Sequence, residues 1–153
     1  MENNILGNNE EFTLNLEFIQ QLVNNYKNKQ LQAISETLGI EDAHSIHFNI
    51  KVLKDFIARI EEEAQAAHPD LTDEKLGIRM YYGAYDEVTE NPIPEEYASK
   101  HTLVMVPTIT TEENTIEDFN PFTSQSSFGL VPRALSQNHG TLVPPKGNSI
   151  ESY

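Results

Sequence analysis

Between Ser45 and Tyr82 the hydrophobic pattern changes period twice. Ser45-Ile46-His47-Phe48 alternates polar and apolar residues, the signature of a strand with one buried face. Ile50, Leu53, Phe56, Ile57, Ile60, Ala64 and Ala67 then recur at three- and four-residue steps, which places them on one helical stripe. Ile78-Arg79-Met80-Tyr81-Tyr82 returns to alternation, and Gly83 and Ala84 weaken or bend that strand at its end. Asn49 has the side chain of a helix N-cap. With Asn49 as cap, Phe48 and Leu53 occupy the two positions of a hydrophobic staple. Pro69 disfavours helical dihedrals at His68, so the helix is expected to stop near Ala67. Lys51, Lys54, Asp55, Arg59, Glu62 and Glu63 take the other side of the helix, with Asp55 and Arg59 spaced for an ion pair one turn apart. A strand, a helix and a strand with short joints predict a right-handed crossover between parallel strands, an antiparallel return requiring another strand between them.

The flanking pattern is less regular. Leu16, Ile19, Leu22, Val23 and Tyr26 form a helical stripe that either Thr13 or Asn15 could cap. A polar joint, Asn28-Lys29-Gln30, separates it from a shorter stripe of Leu31, Ile34 and Leu38, which Gly39 stops in a C′ role. Pro94-Glu95-Glu96-Tyr97 suits a helical turn. Thr102-Leu103-Val104-Met105-Val106 is an apolar run of the kind found in an interior strand, bounded by Pro107, and an edge strand is expected around Ile109. Beyond Phe119 serine, asparagine, glycine and proline dominate. Phe122, Phe128, Leu130, Val131, Leu135, Leu142 and Val143 are nevertheless too many apolar residues for a linker, so an irregular segment lying across the body is expected.

These elements predict an α/β or α+β fold. A small mixed sheet of three to four strands, built from Ser45–Phe48, Ile78–Tyr82, Thr102–Val106 and a fourth strand from the carboxyl-terminal third, packs on one long amphipathic helix. An N-terminal helical pair covers the sheet. Residues 1–11 and 147–153 are expected to fray around a single globular domain spanning residues 12–146.

The order of features resembles that of small uncharacterised proteins of Bacteroidetes type. The resemblance runs through LEFIQQLVNNYK, SIHFNIKVLKDFIARIEEE, GIRMYYGAY, LVMVPT and a late NHGTLVPP turn. It covers most of the chain and implies neither an assigned activity nor any catalytic residue.

Composition narrows the function classes. The 153-residue chain has 24 acidic and 10 basic residues, a net charge of −14, and no cysteine. Disulfides, thiol nucleophiles, iron–sulfur clusters and cysteine-based zinc sites are therefore excluded. The basic residues are scattered singly, so neither a nucleic-acid backbone nor an anionic membrane surface is an expected partner. The first residues, MENNILGNNEEF, carry no secretory pattern, and no stretch has the length of a membrane span, so a cytoplasmic location is expected.

Candidate chemistry is sparse. His44, His47, His68, His101 and His139 lack metal-ligand spacing. Asp70-Leu71-Thr72-Asp73-Glu74 lacks the glycine and terminal glutamate of a calcium loop, and Glu61-Glu62-Glu63 has the character of a solvated face. The serines of 124–129 have no nucleophile-elbow glycines, and Gly77 and Gly83 do not stand in a strand-to-helix phosphate loop. No cofactor or metal is implied.

One constellation remains. If the apolar sides of the two alternating strands share the helix-covered face, His47, Arg79 and Tyr81 point together to the other face. Arginine then offers a fork of donors for a carboxylate or phosphate, with Tyr85 and His101 at the rim. The competing expectation is that Arg79 pairs with an internal acid such as Asp86 or Glu87.

Two function classes follow. One is a non-enzymatic interaction or accessory module, self-associating through an exposed edge strand or the apolar C-terminal segment. The other is a binding protein for an anionic small molecule, or an enzyme, using the polar sheet face. The paired groups that acyl transfer, phosphoryl transfer or metal hydrolysis need are missing, which weighs against an enzyme.

Overall fold

The computed structural model describes residues 13–122, 133–145 and 151–152. The serine run of 124–129, residues 1–11 and residues 147–150 of the expected fraying ends lie outside the described residues. The fold is mixed α+β. Helix α1 (Leu16–Tyr26) passes through a π-helical turn at Lys27–Leu31 directly into α2 (Gln32–Leu38). The expected polar joint is thus helical, and the N-terminal pair is one nearly continuous rod, because Tyr26, Lys27, Leu31 and Gln32 all keep right-handed helical dihedrals. Asn15 is the N-cap, its Oδ1 accepting from the Glu17 and Phe18 amides, and Gly39 closes the rod at φ 67°. Leu16, Leu22 and Leu38 are exposed and no residue of the rod is fully buried, so its apolar stripe is less covered than its pattern predicts.

Strand β1 (Ser45–His47) leads into α3 (Ile50–Ala67), capped by Asn49, whose side chain accepts from the Lys51 amide at 2.8 Å. The helix ends at His68, as Pro69 requires. Phe56, Ile60 and Ala64 are buried, whereas Ile50 and Ile57 are exposed. Asp55 pairs with Lys51 at 2.6 Å, and Arg59 with Glu62 and Glu63, so the expected Asp55–Arg59 pair is replaced. Arg59 has two carboxylates within one turn on its C-terminal side, which leaves Asp55 to the lysine one turn back.

The remaining strands are β2 (Leu76–Ala84), β3 (His101–Thr110), β4 (Ile116–Asp118) and β5 (Thr141–Val143). A 3₁₀ turn at Glu95–Tyr97 falls where the proline-led acidic stretch predicts one. Two sheets result. One has the order β2-β3-β4 and the other pairs β1 with β5, and every ladder is antiparallel. The expected parallel crossover is therefore absent: β1 and β2 belong to different sheets. The chain after α3 turns back to meet β3, a long strand with nine residues of β2 in register, while three-residue β1 finds its partner at Thr141–Val143.

Strand β3 occupies the interior, as its apolar run predicts, but it continues through Pro107 to Thr110, so Ile109 lies in this central strand between Leu76 and Glu117 and not in the expected edge strand. Proline is accommodated because the Phe119 amide donates to the Pro107 carbonyl and the reciprocal donor is simply missing. The β3–β4 hairpin turns on Asn114 at φ 60°, an αL position that asparagine tolerates.

Two cores form. Phe56, Ile60 and Met105 join α3 to the sheet, with Phe48, Leu53, Leu76 and Leu135 packed around them; the staple pair is thus half-buried against the core. Ala43, Tyr97 and Leu142, flanked by Ile46, Tyr85 and Ile93, anchor the smaller sheet. Gly140 lets the chain approach β1, since a Cβ there would lie 2.3 Å from Ile46 Cγ2. Glu151 accepts from Ser45 Oγ and lies 2.6 Å from His44 Nε2, tying the chain's end to β1.

Candidate functional site

The five residues singled out in the sequence separate into four places. His47 lies on β1, exposed and opposite Thr141. It does not share a sheet with Arg79, so the anion-binding face expected of His47, Arg79 and Tyr81 does not assemble. Tyr85 stacks on Tyr97 at a 6.0 Å centroid separation and bonds Asn138 at 3.3 Å. His101 opposes Ala84, one residue out of phase with Arg79 along the paired strands, and so stands on the other sheet face.

Arg79 and Tyr81 do act together. Arg79 Nη1 donates to Asp118 Oδ1 at 2.5 Å, Nη2 donates to the Ile116 carbonyl at 3.1 Å, and Tyr81 donates to Asp118 Oδ2 at 2.5 Å. The guanidinium also lies 5.9 Å from the Tyr81 ring centre. Hydrogen bonding to Tyr81 and the charge of Asp118 hold Arg79 more firmly protonated than usual. The internal acid is Asp118 rather than Asp86 or Glu87, because β4 is the strand that sets a carboxylate beside the outer face of β3. The sequence held a signal for it. Asn114, between Thr108-Ile109-Thr110 and Ile116-Glu117-Asp118, marks a hairpin turn.

His101 belongs to a second array that sequence reasoning missed. Its Nδ1 meets Asp42 Oδ2 at 2.5 Å, and its Nε2 lies 3.1 Å from the Tyr26 hydroxyl. Asp42 is only 4% exposed, and its Oδ1 also accepts from the amides of Ala43 and His101, each at 2.8 Å. The carboxylate orients the imidazole with a proton on Nδ1, leaving Nε2 to accept from Tyr26. Burial first, then the charges of Asp42 and Tyr82, push the Tyr26 phenol above its usual value of 10.0. Carboxylate, imidazole and phenol are in the order of a proton relay, yet each satisfies the next, and together they tie α1 to β3. Among the described residues no group of three or more histidines and carboxylates could hold a metal ion. No helix there is long and apolar enough to cross a membrane.

The surface with unmet bonding capacity is β2. Among the described residues it pairs only with β3, and its other edge has no strand partner. Met105 directs its N–H and C=O to Gln137, away from β2. Its opposite, Met80, must then point its own backbone groups out of the sheet, as must Ile78 and Tyr82 two residues either way. Their side chains lie on the α3 face at 36%, 54% and 89% exposure for Ile78, Met80 and Tyr82. Beside them Ile57, Ile60, Leu76 and Ile78 line an open cleft of ≈ 320 Å³, with Glu61 and Asp73 at its rim.

Comparison with protein-family models, with curated proteins and with solved structures finds no match.

Proposed function

We propose that the protein is a non-enzymatic interaction module whose contact surface is the outer edge of β2. The observation that carries this reading is the coincidence, from Ile78 to Tyr82, of outward backbone groups without a partner among the described residues and the exposed side chains of Ile78, Met80 and Tyr82. A long apolar edge is a template for another strand; monomeric proteins blunt such edges with charge, proline or a covering element. Leu76–Ala84 contains no proline and no acid, and its one base, Arg79, is neutralised by Asp118. An anion at the Arg79 face is disfavoured by the same pair, since a ligand would have to displace Asp118, Tyr81 and the Ile116 carbonyl. Strand addition supplies backbone hydrogen bonds for affinity and alternate side-chain contacts for selectivity. A second copy of the chain is the simplest donor of such a strand.

Light scattering over a concentration series tests this. The wild-type mass is expected to rise toward that of a dimer, more readily at high salt, because each copy carries a net charge of −14. Met80→Lys, which puts a charge on the edge without touching the β3 ladder, is expected to stay monomeric with unchanged circular dichroism. A wild-type chain that remains strictly monomeric at the highest soluble concentration at either salt would remove the self-association reading.

A further inference from the structure

Resting on that reading, we infer that two copies join by antiparallel pairing of their β2 strands about a two-fold axis at Met80, each copy's Tyr82 lying against the apolar cleft of the other. The register follows from the strand. Backbone groups that point outward must meet backbone groups that point outward, so even-numbered residues pair with even-numbered ones. Strand β2 spans Leu76–Ala84, and its midpoint is Met80. Only an axis there aligns the strand end to end, Ile78 with Tyr82 and Met80 with itself through outward backbone groups, with Leu76, whose amide donates to the Asp73 carbonyl, beside Ala84.

The side chains agree on both faces. On the α3 face the pair of Ile78 and Tyr82 is a β-branched residue against an aromatic one, a favourable cross-strand combination. Ile78 forms one wall of the cleft, so the Tyr82 side chain of the other copy comes to rest over Ile57, Leu76 and Ile78. Glu61 and Asp73 at its rim form no ion pair among the described residues and can accept from a phenolic hydroxyl. On the outer face Arg79 falls opposite Tyr81 of the other copy, extending the arginine–tyrosine contact already present within each copy. An axis one residue earlier sets Arg79 against Arg79, a like-charge pair. An axis one residue later sets Arg79 against Gly83 and leaves Leu76 without a strand partner.

Local charge favours a second copy as well. The chain as a whole repels itself, but β2 is a neutral stripe once Arg79 is balanced by Asp118 at 2.5 Å. Edge-to-edge contact there brings two acidic molecules together along a strand that itself carries no uncompensated charge.

Cysteine cross-linking tests the register without background, because the chain contains no cysteine. Cα atoms of a hydrogen-bonded antiparallel pair lie about 5.5 Å apart, within disulfide reach. Met80→Cys is therefore expected to oxidise to a covalent dimer at least tenfold faster than Ile78→Cys or Tyr82→Cys alone. In those two variants like positions stand about 14 Å apart, at roughly 3.4 Å per residue. A mixture of Ile78→Cys and Tyr82→Cys chains is expected to cross-link to each other. Tyr82→Ala, exposed and harmless to the monomer, is expected to weaken association at least tenfold. If the wild type dimerises by light scattering but Ile78→Cys or Tyr82→Cys cross-links with itself as fast as Met80→Cys, the register is wrong and the edge reading stands. If Tyr82→Ala dimerises like the wild type, the cleft contact is wrong. If no dimer forms at all, both fall.

Discussion

Removing the Asp42 carboxylate tests the array that fastens the N-terminal rod to the sheet. Asp42 accepts from the Ala43 amide and the His101 amide at 2.8 Å each, and meets His101 Nδ1 at 2.5 Å. Ala43 is fully buried and Asp42 nearly so, so water does not replace these bonds readily. Asp42→Ala strands two backbone donors at about 1–3 kcal/mol each. It also frees the imidazole to turn away from Tyr26. The two stranded donors together put the loss at about 2–6 kcal/mol. Asp42→Asn differs in a defined way. Its oxygen keeps both backbone donors, and its amide nitrogen donates to His101 Nδ1, moving the imidazole proton to Nε2, which then donates to Tyr26. Only the charge assistance is lost, about 1–2 kcal/mol. Urea unfolding near neutral pH, with equal slopes for all variants, reads these differences directly. If Asp42→Ala lies within about 0.5 kcal/mol of wild type, the carboxylate is not the acceptor on which these amides depend. If Asn is as damaging as Ala, charge rather than acceptor geometry holds the array.

Two further outcomes follow from the packing and the pKa directions. Ile60→Ala is expected to cost about 2–5 kcal/mol in urea unfolding, because Ile60 is 3% exposed and touches Phe56 and Met105 in the main core; an unchanged midpoint would place the helix stripe in solvent. Burial of the Glu151 carboxyl favours its neutral form, but hydrogen bonds from Ser45 and His44 and the charges of His44 and Lys27 outweigh this and lower its pKa below the usual 4.5. A lowered folded pKa gives stability that is present above the unfolded value and lost as pH falls through the folded one. Glu151→Gln should therefore be less stable than wild type near neutral pH and indistinguishable from it in acid below the carboxylate range, and a pH-independent gap would contradict the linkage.

Most local structure was legible in the sequence. The Asn49 cap, the Phe48–Leu53 staple, the stop before Pro69, the αL closure at Gly39 and the interior character of β3 each rest on residues within a few positions of one another. The α+β class belongs to the same level, whereas the edge strand expected around Ile109 proves to be the end of central β3, paired with Leu76 on one side and Glu117 on the other. Strand partnership did not. Residues 45–47 and 78–82 alternate alike, and nothing within them states that one pairs with Thr141–Val143 and the other with β3. Pairing is settled by which long-range contacts bury the most apolar surface and satisfy the most backbone, a competition over the whole chain. The candidate site divides in the same way. Arg79 and Tyr81 share a face by strand periodicity alone, but Asp118 reaches them only through the β3–β4 hairpin. Asp42, Tyr26 and His101 come from a loop, a helix and a strand far apart in sequence. Only tertiary folding brings a carboxylate, an imidazole and a phenol within hydrogen-bond distance, because those bonds persist where packing has already excluded the water that would otherwise take them.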